Sequence, residues 1–477
     1  MEKYEFDFAQ KTKPFPHQAD ATEFIKGKES VALFDEQGLG KSKIVIDALC
    51  SDIENGIIDG ALIICKKSLL RTWEDEIKKH SFLSSIILRG STREKGYKFL
   101  AFVHFYLMNY EYLPTEIDRI KMLLKIRKLA IILDESHKIK NPVSKTAKTI
   151  FGVRELAKKR IIITGTPIAN KPEDLWSQFY FLDGGKTFGT DFRSFKTEYC
   201  PTNHREAYSQ EEMAKLKRLR ETIEKISIRR LKNNVLELPE KLYQDVFVEL
   251  EERQKKLYDT LKHDLRIEFL SYSGEQVIKE VHNILEKLLR LTQIASNPAL
   301  IYDDYEETPA KFTKLDEIVR EILSKEEKLI IWTSFVDNVR VLRKRYISSN
   351  PLIIFGEVPI EDRAKFVNRF QTDKDYKIMI ANPSAAREGL TLTSANNAIY
   401  LDRSFNLVDY MQSQDRIHRI SQTKTCKIVK LIARDTIDEY IDEILYKKQD
   451  TAAFVQGDKG SLSTSHLTKE ELMDILK

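Results

Sequence analysis

The chain has no paired cysteines that could form a staple or a metal knuckle. Cys50, Cys65, Cys200 and Cys426 are scattered through 477 residues with no C-x-x-C pair, which suits a reducing compartment and argues against a disulfide framework. Cys200 and His204 make a single C-x-x-x-H without a second pair, so structural zinc is not expected. No run of about 18 apolar residues occurs, so no transmembrane helix is expected. The opening MEKYEFDFAQKTKPF is mixed in charge, with no apolar stretch of the kind a secretion signal carries. A cytoplasmic location is the expectation. Internal repeats and long low-complexity tracts are missing, and so is a strong charge imbalance. Lys+Arg total 78 against 73 Asp+Glu, for a net charge of +5, which permits local nucleic-acid-binding patches without arguing for them.

What is present is a globular composition, 42% hydrophobic and 32% charged, on a chain too long for one ordinary core. Short runs rich in Ile and Val recur at both ends. The first set is 31–34, 61–65, 85–88, 130–133 and 160–164; the second is 329–332, 352–355, 377–380, 398–401 and 427–432. Continuous rather than alternating apolarity marks strands buried on both faces, as in a parallel α/β sheet. Two sets predict two α/β lobes.

Between them, Glu211 to Leu231 and Glu251 to Ala295 carry apolar residues at helical spacing on a Lys/Arg/Glu-rich background. The spacing predicts long inserted helices, with a break near Ser271–Gly274. After Gln449 the sequence turns polar and Gly/Ser-rich, which reads as a flexible link, followed by a short helix opened by the capping pattern at Thr468–Glu471. The expected organisation is a first lobe at 1–185, a helical insert and linker at 186–310, a second lobe at 311–435, and a helical extension at 436–477.

Asp35-Glu36-Gln37-Gly38-Leu39-Gly40-Lys41-Ser42 stands between a predicted strand and a predicted helix. In that setting backbone N–H groups and the helix N-terminus can hold phosphates, Lys41 can neutralise β/γ oxygens, and Ser42 can ligate Mg²⁺. The full phosphate-loop consensus has glycine where Asp35 stands, so the match is incomplete. Asp134-Glu135-Ser136-His137 follows the strand 130–133 directly. Asp134 is placed to hold Mg²⁺, and Glu135 to orient or deprotonate an attacking water. Such a pair is by itself more often a solvated loop, but its place on a second strand of the same predicted sheet favours a site. Near the other end, Arg416 and Arg419 fall three apart, on one face of a predicted helix. They could serve as arginine fingers; an isolated R-x-x-R is otherwise an exposed basic face.

The order DEQGLGKS, ALIICKKSLLRTW, LDESHKIKN, ITGTPIAN, SAAREGLTLTSAN, QSQDRIHRISQ resembles helicase superfamily two. The stretches SIRRLKNNVLELPEK (227–241) and LRLTQIASNP (289–298) resemble its SWI/SNF-type DNA-dependent ATPases. The resemblance runs from about Phe15 to at least Lys448. It implies two RecA-like lobes with helical protrusions, and ATP and Mg²⁺ as ligands. It implies nucleotide contacts from Gln18, Gly38, Leu39, Gly40, Lys41, Ser42, Gly389 and Gln412. Catalytic roles are implied for Lys41, Asp134, Glu135, Arg416 and Arg419, and DNA contact or coupling for Lys66, Ser68, Thr164, Thr166, Thr391 and Thr393. Lys66 stands where the family commonly has proline, Ser136 where it has alanine, and Ser421 where it has glycine.

The implied function is an ATP-driven DNA translocase that binds duplex or branched DNA without reading sequence. It would act as a monomeric motor in a bacterial or phage setting, remodelling forks and junctions or stripping bound protein. A transcription-associated ATPase acting on stalled polymerase, and a nucleotide-gated DNA-binding scaffold, are the alternatives.

Overall fold

Apolar runs that alternate between two cores build the first sheet. Ala32, Leu62, Ile64, Ile131, Leu133 and Ile162 enter one core, while Val31, Leu33, Ile63, Ile132, Ile161 and Ile163 enter the other. Successive side chains on a strand point to opposite faces, so a strand covered on both sides must be apolar throughout. Each fully buried Ile, Leu or Val contributes about 1.5–3 kcal/mol.

The protein is described by a computed structural model, at residues 10–169, 171–201, 208–236, 238–271, 281–385, 390–419 and 421–459. It divides into two units. The first is drawn from within Met1–Thr202, Tyr208–Glu237 and Thr451–Leu462, the second from Leu238–Asp450.

The first unit's strands are β1 (Ser30–Leu33), β2 (Gly60–Cys65), β3 (Ser85–Ile87), β4 (Phe105–Asn109), β5 (Leu129–Asp134), β6 (Lys159–Ile163) and β7 (Ser227–Ile228). They lie in the order β3-β4-β2-β5-β6-β1-β7, with every described pairing parallel. The second unit holds β8 (Lys241–Val248), β9 (Leu329–Trp332), β10 (Leu352–Ile354), β11 (Ile378–Ala381), β12 (Asn397–Tyr400) and β13 (Cys426–Ala433). Their order is β10-β11-β9-β12-β13-β8, again parallel throughout. Ile330, Trp332, Met379 and Tyr400 face one core, and Leu329, Ile331, Ile378 and Ile399 the other. The protein is thus two parallel-sheet α/β lobes, as its apolar runs predict. No described helix is long and apolar enough to cross a membrane.

The region 186–310, expected as a helical insert, is shared between the units. The helix predicted to reach Leu231 stops at Ile223, and Ser227–Ile228 pairs with Ala32 and Leu33 as an edge strand. β8 falls in the stretch between the two predicted helices, where no strand is expected. It pairs with β13 on one side over eight residues and exposes Leu242, Tyr243 and Phe247, so it lacks the continuous apolarity of a central strand. β4, Phe105–Asn109, falls outside the predicted runs, which are those rich in Ile and Val. Helices Glu252–Ser271 and Val281–Ser296 match the predicted pair; most of the expected break at 271–274 lies outside the described residues. The predicted link after Gln449 is instead helical as far as Val455, at the end of helix Ile437–Val455, with Ala452, Phe454 and Val455 in the first unit's core. The helix expected from Thr468 lies outside the described residues.

Candidate nucleotide site

β5, β6 and β1 are neighbours in the first sheet, and three predicted segments leave their carboxyl ends. The phosphate loop follows β1, the acidic tetrapeptide begins at the end of β5, and Thr164–Ala169 follows β6. Ligands of open parallel sheets bind at these ends of the strands.

The loop is shaped by two glycines. Gly38 and Gly40 adopt left-handed φ values of 91° and 79°, and Gly40 caps helix Lys41–Glu54. A side chain at position 40 would also strike the amide of Gln18. Gln18 Nε2 and His17 Nε2 both donate to the carbonyl of Leu39, at 3.2 and 3.1 Å, and the Leu39 side chain is fully buried. Gln18 therefore holds the loop in place. Ser42 occupies the first turn of the helix. Lys41 Nζ donates to the carbonyls of Asp35 at 2.9 Å and Glu36 at 3.2 Å. Burial lowers its pKa, opposed by Glu135, Asp35 and Asp134.

Two carboxylates face this lysine. Asp134 is pushed up to about 6, first by burial and then by the adjacent Glu135. Its Oδ2 accepts from Trp73 Nε1 at 2.8 Å, and its carbonyl accepts from Tyr110 Oη at 2.8 Å. Burial also pushes Glu135 up, but His137, Lys66 and Lys41 outweigh it and hold the carboxylate well below its usual range. Glu135 sits at φ 56°, a conformation rare for a residue with a side chain and costing about 1–3 kcal/mol. That backbone presents its carboxylate to Gln37 Nε2 and Thr164 Oγ1, both at 3.4 Å. Thr164 Oγ1 also accepts from Thr166 N at 3.1 Å. A Cβ on Gly165 would lie 2.9 Å from Gln37 Cγ and 3.4 Å from Lys41 Nζ, so the segment after β6 packs directly on the loop. Ser136 is fully buried and donates to Gln178 Oε1 at 2.6 Å, which fixes the acidic tetrapeptide to helix Asp174–Asp183. Lys66 is buried and precedes the short helical turn Lys67–Leu69 that contains Ser68.

Sequence reasoning missed the loop's supports. Asp35, where the consensus has glycine, is fully buried and takes the guanidinium of Arg230 on both oxygens, with Nε at 3.0 Å from Oδ1. Lys232 N donates to Glu36 Oε2 at 2.7 Å. Arg229 Nη1 donates to Phe34 O at 2.6 Å. In the sequence, RRLK stands only as part of the stretch 227–241 that carries the family resemblance. Trp73 stood unremarked in the LLRTW stretch.

In the second unit, Arg416 and Arg419 do not share a helix face. Helix Leu407–Gln414 ends before them. The Asp415 carbonyl is taken by Arg419 Nε at 3.1 Å and the Arg416 carbonyl by Leu392 N at 2.9 Å, so the chain tightens into a turn. Arg416 is buried, as is Gln412 in the preceding helix. Arg419 Nη1 donates to Thr391 Oγ1 at 2.9 Å, and Thr393 Oγ1 lies 2.8 Å from Ser421 Oγ. Burial lowers the Arg419 pKa against the pull of Asp415. Lys241 pairs with Asp415 at 3.1 Å, Tyr243 Oη donates to Gln414 Oε1 at 2.9 Å, and His418 Nε2 donates to Pro239 O at 2.8 Å. Gly389 lies outside the described residues.

Asp134 and Ser42 carry hard oxygen donors of the kind Mg²⁺ takes, and no group of three or more His, Cys, Asp or Glu among the described residues forms a ready-made metal cluster.

Residues 17–300 match the SNF2-related domain, and residues 310–421 match the helicase conserved C-terminal domain. An uncharacterized ATP-dependent helicase of Mycoplasma genitalium, MG018, is 30% identical over 88% of the chain and 39% of its own length. The transcription regulatory protein SNF2 of Saccharomyces cerevisiae is 27% identical over 88% of the chain and 26% of its own length. The chain spans less than half the length of these relatives. The Sulfolobus solfataricus SWI2/SNF2 ATPase core, solved in complex with dsDNA, covers 96% of the chain and 95% of its own at 27% identity, with a TM-score of 0.44. The chain belongs to the SNF2-related family and carries a helicase conserved C-terminal domain after the SNF2-related one.

Proposed function

We propose that the chain couples ATP hydrolysis to movement along DNA. The observation that carries this reading is the hydrogen-bonded group at the ends of β1, β5 and β6. There Lys41, Glu135, Gln37 and Thr164 surround the place where a strand–loop–helix receives phosphates. Lys41 exchanges its loop carbonyls for β/γ phosphate oxygens. Glu135, held as a buried carboxylate, accepts a proton or hydrogen bond from the attacking water. Ser42 and Asp134 would hold Mg²⁺, which supplies charge neutralisation on the phosphates. The role proposed for Arg416 and Arg419 is to stabilise the charge that develops on the transferred phosphoryl group, and for Gln412 and Gly389 to contact the nucleotide.

Two intra-unit links support DNA control of turnover. Trp73 follows Lys66 and Ser68 in the same short stretch and bonds Asp134. Thr391, in the stretch 389–393 proposed to grip the backbone with Thr393, bonds Arg419. A shift at either DNA-facing stretch therefore reaches a catalytic group through one hydrogen bond. Thr164 and Thr166 join phosphate state to these movements on the first unit's side.

The substrate proposed is duplex or branched DNA, tracked on its backbone by a monomeric motor in a bacterial cytoplasm, with fork regression, branch migration or displacement of bound protein as the task. ATP hydrolysis compared on single-stranded, duplex, forked and four-way-junction DNA tests it. Preference for a fork or junction supports branch remodelling; equal stimulation by all four contradicts it.

A further inference from the structure

Asp458 lies outside every motif that assigned the site, yet it reaches the start of the phosphate loop through a single residue, Arg229. Helix Ile437–Val455 ends in a turn where Gly457 takes a left-handed φ of 84° and Asp458 N donates to Ala453 O at 2.8 Å. That turn ends the helix with Asp458 beside Arg229. Its two oxygens take the fork of Arg229, from Nε at 2.7 Å and Nη2 at 2.6 Å. The remaining guanidinium nitrogen, Nη1, then points to the carbonyl of Phe34 at 2.6 Å and that of Gly165 at 3.4 Å. Phe34 is the residue before the loop, and Gly165 packs on Gln37 and Lys41 with no room for a side chain.

A planar guanidinium held by a carboxylate on one edge has its other edge fixed in direction. We propose that Asp458 is a positioning residue for nucleotide turnover, orienting Arg229 so that it ties the start of the phosphate loop to the segment after β6. The turnover part rests on the reading of this site as an ATPase. The pair borders a cavity of about 400 Å³ lined in part by Phe34, Ile228, Asn234 and Gln456, and both side chains keep some exposure, 14% for Arg229 and 16% for Asp458. Without Asp458 the guanidinium has space to swing toward water, so the expected loss is one of orientation rather than of the fold.

The test uses the full chain as Asp458→Asn, Arg229→Gln and the double variant, reading amide hydrogen exchange over residues 33–41 beside steady-state ATP hydrolysis. In Asp458→Asn, loop exchange should rise at least about threefold and kcat fall about fivefold or more, with KM for ATP within about twofold. The double variant should be no worse than Arg229→Gln alone, since both changes remove one linkage. Wild-type exchange and kcat in Asp458→Asn would overturn the proposal, as would losses that multiply in the double variant. A drop in melting temperature without a loop-specific rise in exchange would mark a merely structural role and also overturn it. If the wild type hydrolyses no ATP, the ATPase reading fails, while the exchange comparison still decides whether Asp458 orders the loop.

Discussion

The indole N–H of Trp73 donates to Oδ2 of Asp134 across 2.8 Å. The bond ties helix Leu70–His80 to the carboxylate proposed to hold Mg²⁺. Partners of this kind fix a ligand's orientation, and their loss typically costs about 10–100-fold in metal affinity or activity.

Trp73→Phe keeps the ring packing and removes the donor. The Mg²⁺ concentration giving half-maximal ATP turnover should rise by about tenfold, with saturating turnover less affected. A magnesium titration of the ATPase rate checks this, and an unchanged midpoint would refute the link.

Asp35→Ala strips the acidic partner from Arg230 at a fully buried position. Breaking a buried pair leaves an uncompensated charge and costs about 3–5 kcal/mol. Urea denaturation should show the first unit destabilised on that scale. Asp35→Gly, the consensus residue, should be no milder, because the orphaned guanidinium is the same.

Arg419→Ala should slow hydrolysis by about 10³-fold or more while ATP binding is largely retained, since a finger acts on the transition state. Single-turnover hydrolysis beside nucleotide binding separates the two effects. Lost ATP affinity with normal turnover would contradict the role.

Acid should weaken the second unit through Asp442. Burial pushes its carboxyl up, but Arg403 and Lys430 outweigh that and hold its pKa below the usual value. A depressed carboxyl stabilises the fold above its unfolded pKa, and that contribution is lost as pH falls through the folded pKa. The unfolding free energy should therefore decline as pH drops below about 4. Asp442→Asn should be less stable at neutral pH and show a flatter acid limb in denaturant titrations across pH.

What could be read from the chain and what could not divide along physical lines. The central strands announce themselves because both faces are covered, so Ala61 to Cys65 and Ala130 to Leu133 are apolar without a break. The glycines and Lys41 are legible because a phosphate loop needs those residues in that local order. β8 is not, since an edge strand carries charge and exposed aromatics. The purpose of Asp35 depends on Arg230, 195 residues away, which no local pattern reveals. The arginine turn departs from a helix because Leu392 N and the Arg419 side chain take the carbonyls a helix would use. Asp458 was hidden in a polar stretch whose Ala452, Phe454 and Val455 are nonetheless core residues.

The most direct test of the central claim is steady-state ATP hydrolysis by the wild type with and without duplex DNA, beside Lys41→Ala in the same assay. The expected result is magnesium-dependent hydrolysis that duplex DNA stimulates, stimulation that weakens as salt is raised, and no turnover above background in Lys41→Ala. Hydrolysis indifferent to DNA, or a Lys41→Ala protein as active as the wild type, would contradict it.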